Sequence, residues 1–302
     1  MNKLTELLYE AKTNNMTKPR TFNHVFDKKI ECCLVCGEQR LADYKRDWRD
    51  VLISRCASCG FQFMNPQYED NYIHQYYVDS YVDTDRSKTH RASYEPAYSL
   101  YLSLLERHIT TGKLLDIGCG NGSLLAVAKQ RGWQISGYDV DANSTKAVSE
   151  RLQESNIFTG DFLNLDESQQ YDVITLHQVL EHVKNPNEYL QKIRRLLTDG
   201  GYAFIAVPNI HSVSNKLKFM LESIGIRRRN IGNYYDTYHH LLYFTPSTLR
   251  LILSKNGFIS LETRNCYKTK VRESRFAQFV KNNITGRLFP SSAFFVIVKK
   301  DH

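Results

Sequence analysis

Three sets of residues in this chain have the types and spacing to do chemistry. The first is thiolate chemistry. Cys33-Leu34-Val35-Cys36-Gly37 and Cys56-Ala57-Ser58-Cys59-Gly60 are two matched C-x-x-C-G knuckles. Each sets two sulfurs about one turn apart, and its glycine permits the bend that turns backbone amides toward them. Four thiolates suit a closed tetrahedral site with no position left for water, so Cys33, Cys36, Cys56 and Cys59 are expected to hold a structural Zn2+. Cys32 adjoins the first knuckle at a spacing that does not suit a ligand. A redox dithiol would need a thioredoxin-like βαβ setting, which these pairs lack.

The second set is an acid followed by a glycine turn, Asp116-Ile117-Gly118-Cys119-Gly120-Asn121-Gly122. The spacing differs from the G-x-G-x-x-G turn, in which a helix N-terminus holds a pyrophosphate. An acid ahead of the loop would repel phosphate, so a cationic ligand without phosphate fits better. Asp116, Gly118, Cys119 and Gly120 are its candidate contacts, with a chance glycine turn as the bland alternative. The third set is histidine, the side chain whose pKa lies nearest working pH. His177 and His182 fall in HQVLEHV, and His240 falls in HHLLYF.

The elements that must position these groups are readable from periodicity. Residues 113–117 form an apolar run, and Ser123 to Gln130 place Leu124, Leu125, Val127 and Ala128 near one helical side. From 113 to 208 strand and helix alternate, which predicts a parallel doubly wound α/β sheet. The second strand ends in Asp139, where an acid can accept two hydrogen bonds from ribose hydroxyls; Asp141 competes for that role. Asp161, after a short third strand, could accept an adenine amino group, with Phe162 offering its ring or backbone NH. The alternative there is a solvated loop acid. Residues 171–177 make the fourth strand, whose carboxyl end delivers His177 to the edge where open α/β sheets bind ligands. The fifth strand spans 202–207, and the last two span 258–266 and 293–299. Thr245 and Pro246 cap and open the helix between them and the fifth strand.

The expected division is a polar arm at 1–29, a zinc ribbon at 30–66 and a tyrosine-rich helical segment at 67–112. An α/β domain at 113–302 follows, with a lid-like insertion at 210–240. The tyrosine-rich segment could line an acceptor pocket, although aromatics at helical spacing more often pack a core. In the insertion, Arg227-Arg228-Arg229 could clamp a diphosphate or could be a solvated loop. The net charge of +8 permits an anionic substrate without identifying one. Lys45, Arg46 and Arg49, with Tyr44 and Trp48 nearby, keep nucleic-acid binding by the ribbon as a lower-ranked reading. No apolar run approaches the roughly 20 residues of a spanning helix, and no signal peptide is evident, so a cytoplasmic location is expected. Seven cysteines, four of them in the knuckles, then point to metal rather than disulfides.

LDIGCGNG, Asp139, GDF at 160–162, HQVLEHVKNP at 177–186 and LLTDGGYAFIAVPN at 196–209 occur in an order that resembles a family. They look like class I S-adenosylmethionine (SAM) methyltransferases close to the ubiquinone-biosynthesis O-methyltransferase branch. With the N-terminal knuckles and FQFMNPQYEDNYIHQYY, the chain is also similar to zinc-bearing bacterial methyltransferases of sugar and surface-polysaccharide biosynthesis. The resemblance implies a Rossmann-like seven-stranded methyltransferase sheet with a small N-terminal zinc ribbon. It implies SAM as cofactor and a small-molecule acceptor, a sugar or nucleotide-linked sugar before a quinone or aromatic ring or an RNA. His240 matches the histidine of the family's HLxYF-(S/T)-P segment and ranks first as general base. His177 is a second catalytic candidate that also faces the cofactor, while His182 is read as structural. Two departures stand out. Gln178 occupies a position where the ubiquinone branch often carries an acid, so a metal site built on a carboxylate there is not expected. The sugar C-methyltransferases carry a second C-terminal α/β region that this sequence does not match.

Overall fold

A computed structural model describes residues 26–47, 50–73, 86–225, 235–266 and 291–301, with the backbone alone for 86–94. The arm up to residue 25, the triple arginine and residues 268–290 lie outside the described residues.

Among the described residues eight strands follow the ribbon. They are β4 (Lys113–Ile117), β5 (Gln134–Asp139), β6 (Ile157–Thr159), β7 (Tyr171–His177), β8 (Leu197–Pro208), β9 (Leu242–Tyr243), β10 (Phe258–Asn265) and β11 (Ala293–Lys300). All but β9 join one sheet in the order β10-β11-β8-β7-β4-β5-β6. The five strands from β8 to β6 run parallel, and β11 and β10 close the edge antiparallel. The doubly wound α/β fold expected from the alternation is therefore the fold of the chain. Its central strands are apolar on both faces because both faces are covered. Leu115, Ile174, Leu176, Ile205 and Val207 pack into one core cluster, and Leu114, Val173, Phe204 and Ala206 pack into the other. β8 begins earlier than periodicity predicts. Gly200 takes φ +78° and the register against β7 shifts, so the glycine pair is absorbed as an irregularity within the strand.

The helices that matter for the site are α1 (Arg86–Leu105), α2 (Ser123–Gln130), α3 (Ala142–Leu152), α4 (Pro186–Leu196), α5 (Val213–Ser223) and α6 (Pro246–Lys255). None of the described helices is long and apolar enough to cross a membrane.

The knuckles sit on an antiparallel sheet of β1 (Leu41–Arg46), β2 (Leu52–Cys56) and β3 (Gln62–Met64). Its fourth strand comes from far along the chain: β9 pairs with β3, Phe63 opposite Leu242. Phe61, Phe63 and Met64 then share one core cluster with Leu241, Phe244, Leu249 and Ile252. Side chains of the large domain also hold the first knuckle by its carbonyls. Asn187 Nδ2 donates to Leu34 O at 2.7 Å and Lys255 Nζ to Cys36 O at 2.9 Å. The described part of the insertion rests on the same ribbon. Tyr235 OH donates to Gln62 Oε1 at 2.7 Å, Thr237 Oγ1 to Asp47 Oδ2 at 2.6 Å, and Lys45 Nζ stands 3.6 Å from the centre of the Phe219 ring.

Candidate functional site

β4 has β5 on one side and β7 on the other, so the strand order reverses there and opens a crevice at the carboxyl ends. The glycine turn leaves β4 at this point. Gly118 has φ +69°, and a β-carbon on it would lie 2.4 Å from Val179 Cγ2. The loop after β7 thus closes directly on the turn, and only a hydrogen fits between them. A β-carbon on Gly120 would meet nothing within 4 Å, so this glycine borders open space. Cys119 differs from the expectation of a ligand contact. Its NH donates to Tyr138 O at 3.1 Å, its carbonyl accepts from Gly122 N at 2.8 Å, and its thiol is buried against Gly137. With all three groups engaged, it shapes the loop.

Two buried acids face this turn. Asp116 accepts from Thr175 Oγ1 at 2.7 Å, and burial pushes its carboxyl up to about 7. Asp139 accepts Gly120 N through Oδ2 at 2.8 Å and Asp141 N through Oδ1 at 3.0 Å; burial raises its pKa also. Among the described residues no cationic side chain forms an ion pair with either acid. Two buried carboxyls without a counter-charge suit a ligand that brings its own positive charge. Asp141 instead caps α3, accepting from Asn143 N and Ser144 N. Asp161 accepts Leu163 N at 3.0 Å at the start of a single 3-10 turn. The Phe162 ring is 2% exposed and lies 5.1 Å from Tyr189, centre to centre, so its backbone rather than its ring is left for a ligand.

β7 delivers His177 against a pair of touching rings, Tyr98 at 5.5 Å and Tyr101 at 6.2 Å. Burial lowers its pKa to about 4, which keeps it neutral at pH 7. Gln178 follows in the left-handed region at φ +61°, a conformation uncommon for this residue type that periodicity does not signal. The chain then makes a single turn over Leu180–His182 that buries Glu181 completely. His182 meets His239 and His240, which come from the insertion. The His182 and His239 rings stack at 5.0 Å, and one nitrogen from each of the three imidazoles lies within 4.8 Å of the others. Burial is the main cause that lowers His182 to about 3, His239 to about 4 and His240 to about 2. The expectation that His240 acts as general base meets this burial, because a base works best with a pKa near the operating pH. His239 and Glu181 were not singled out by sequence reasoning, since nothing local says that they meet. Two surface hollows, around Lys113 and Asp172 and around Arg55 to Gly60, lie elsewhere and touch none of these residues.

The four knuckle sulfurs converge as expected. Cys33 Sγ is 3.6 Å from Cys59 Sγ, Cys36 Sγ is 3.5 Å from Cys56 Sγ, and all four lie within 4.8 Å of one another. Zinc–sulfur bonds of about 2.3 Å in a tetrahedron place sulfurs about 3.8 Å apart, so the set fits zinc. Gly37 and Gly60 take φ +81° and +72° at the two bends, and Cys32 stays exposed outside the cluster.

Comparison with known proteins agrees with this geometry. The profile of a family described as a methyltransferase domain matches residues 89–262, more than half of the chain. The ubiquinone biosynthesis O-methyltransferase of Leptothrix cholodnii is 31% identical over 120 residues, covering 37% of this chain and 49% of the relative. That of Psychrobacter arcticus is 25% identical over 196 residues, covering 62% and 69%. The chain thus spans about half the length of the first and about two thirds of the second. The plantazolicin methyltransferase BpumL, solved with SAH, shares the fold at a TM-score of 0.52 and 18% identity, over 76% of this chain and 95% of that one.

Proposed function

The chain belongs to the methyltransferase-domain family, and from that premise we propose that it is a SAM-dependent enzyme that methylates an oxygen of a small-molecule acceptor. We favour a hydroxylated aromatic or quinone-type ring over the sugar-derived acceptor. The observation that carries the cofactor assignment is the pair of buried carboxyls, Asp116 and Asp139, at the switch point. SAM brings a sulfonium and an ammonium, which supply the missing positive charge. In this reading Asp139 holds the ribose, Asp161 and the Phe162 backbone meet the adenine, and Asp116 with Gly118 and Gly120 borders the methionine end. Cys119 supports the loop from behind. Cys33, Cys36, Cys56 and Cys59 hold structural zinc.

The acceptor side begins at His177. Tyr98 beside it is part-exposed and offers flat aromatic surface, which suits a ring, while Tyr101 is buried and backs His177 from the core. The names of the O-methyltransferase relatives point the same way, and neither of those named above mentions a sugar. Methyl transfer is an in-line displacement at the sulfonium, so positioning supplies much of the rate. His177, neutral and held against the two tyrosine rings, orients the acceptor. His240 lies further along the same edge.

Deuterated-methyl SAM incubated with catechol-type phenols and, in parallel, nucleotide sugars tests the reading by mass. Methylation of phenols is expected. Transfer confined to the sugars would restore the carbohydrate-biosynthesis reading, and absence of SAM binding by calorimetry would remove the cofactor assignment.

A further inference from the structure

We propose that Lys192, buried on α4, is a positioning residue for the cofactor: it fixes the turn after β6 so that Asp161 and the backbone NH of Phe162 face the adenine, and it thereby sets the preference for that base. The inference rests on the SAM reading and deepens it, since Lys192 acts through the turn rather than on the ligand.

An apolar side chain is the ordinary choice at this position. α4 turns Leu190, Ile193 and Leu196 into the core, and Lys192 lies beside them at 4% exposed. A buried ammonium is costly unless it is hydrogen-bonded. Its partners lie on the turn and just beyond it. Nζ donates to Leu163 O at 2.6 Å and to Leu165 O, and it stands 3.7 Å from Glu167 Oε1 and 5.9 Å from the centre of the Phe162 ring.

The turn cannot satisfy itself. The single 3-10 turn over Phe162–Asn164 closes two backbone bonds, Asn164 N to Asp161 O and Leu165 N to Phe162 O. A turn this short leaves its last carbonyls without partners. Among the described residues no backbone NH reaches Leu163 O or Leu165 O, and Lys192 takes both. The other end is held from β5, where Tyr138 OH donates to Asp161 O at 3.0 Å, and Leu163 N occupies Asp161 Oδ1. One acceptor and one donor are left over. Asp161 Oδ2 and Phe162 N make no hydrogen bond among the described residues. That pair matches the edge of adenine, whose amino group donates and whose N1 accepts. Hypoxanthine, with an oxygen in place of the amino group and a proton on N1, presents the opposite pattern.

The test compares S-adenosylhomocysteine with S-inosylhomocysteine by calorimetry, the weaker ligand by displacement, on the full chain with its ribbon zinc in place. Wild type is expected to prefer the adenine compound by about 100-fold, because the inosine compound leaves both polar groups of the turn unpaired. Lys192→Met keeps the length of the side chain and removes the donor. It is expected to bind S-adenosylhomocysteine about tenfold more weakly while its affinity for S-inosylhomocysteine stays within about threefold of wild type. If Lys192→Met does not fold, Lys192→Gln, too short to reach both carbonyls, carries the same comparison. Equal weakening toward both compounds would make Lys192 a general support of the fold, and unchanged affinities would leave the turn standing without it; either result overturns the proposal. Wild type decides the cofactor reading separately. A wild type that binds neither compound, or both equally, removes that reading and the proposal with it, whereas a discriminating wild type with an unmoved variant removes only the role of Lys192.

Discussion

A single β-carbon separates two jobs done by glycine in the turn after β4. On Gly118 it would collide with Val179 Cγ2 at 2.4 Å in a backbone conformation that L side chains avoid. Gly118→Ala is therefore expected to lower stability by about 2–4 kcal/mol through strain and overpacking, seen as a drop in thermal midpoint. On Gly120 the β-carbon enters open space. Its φ of +49° still opposes a side chain, so Gly120→Ala should cost only about 1–2 kcal/mol, less than Gly118→Ala, yet lose SAM affinity in calorimetry; unchanged affinity would mean that the cofactor lies elsewhere. Asp116 makes a second prediction. Its carboxyl is raised to about 7 by burial, so it is largely protonated below that pH. A cationic cofactor favours the ionised form, so binding drives a proton off. SAM affinity should fall by up to about tenfold per pH unit below pH 7 and level off above it. Binding heat at about pH 6.5 should vary with the ionisation enthalpy of the buffer, and Asp116→Asn should abolish that variation. These acids and glycines were legible in the sequence because their spacing along the chain is itself the signal. The engaged Cys119, the left-handed Gln178 and the meeting of His182 with His239 and His240 were not. Each depends on a contact between segments that are distant in sequence.

At the scale of elements, the strands of the large sheet were legible because burial on both faces leaves continuous apolar runs such as residues 202–207. The two-residue β9 carries no period to detect, yet it completes the ribbon sheet. The ribbon boundary drawn at residue 66 therefore follows the knuckles and misses the pairing that joins them to residues 242–243. The insertion is tied to this sheet by few polar contacts, and Tyr235 makes the clearest of them. Its ring is 1% exposed, and its hydroxyl donates to Gln62 Oε1, a residue itself 3% exposed. Tyr235→Phe keeps the ring and strands that acceptor. A loss of about 1–2 kcal/mol is expected in urea unfolding, with the ribbon zinc retained. A neutral result would show that the aromatic packing of Tyr235 on Tyr243, at 4.6 Å, carries the junction alone.

Over the whole molecule, the question is whether the zinc ribbon is an appendage or a wall of the methyltransferase domain. The core cluster that holds Cys33, Cys56 and Phe61 also holds Leu176, Leu180, Phe244 and Ile252, and so runs from the knuckles to the edge that carries the histidines. β9 lies directly between the histidine pair and the Thr245 cap of α6. Loss of the four-thiolate site would free both knuckles, then β3, then the strand that fixes His239 and His240. Structural zinc commonly contributes folding free energy on the order of 10 kcal/mol in small domains, so its removal should be felt by the whole unit. Cys56→Ser removes one thiolate of the site without a chelator and is the cleaner probe. That variant is expected to unfold in one transition, with a midpoint lowered by more than about 10 °C, and to lose methyl transfer more steeply than SAM binding. The order follows from the structure: the glycine turn and Asp139 are held by the far half of the sheet, whereas the acceptor edge leans on the ribbon. Two separate transitions, with transfer intact after the first, would make the ribbon an independent module.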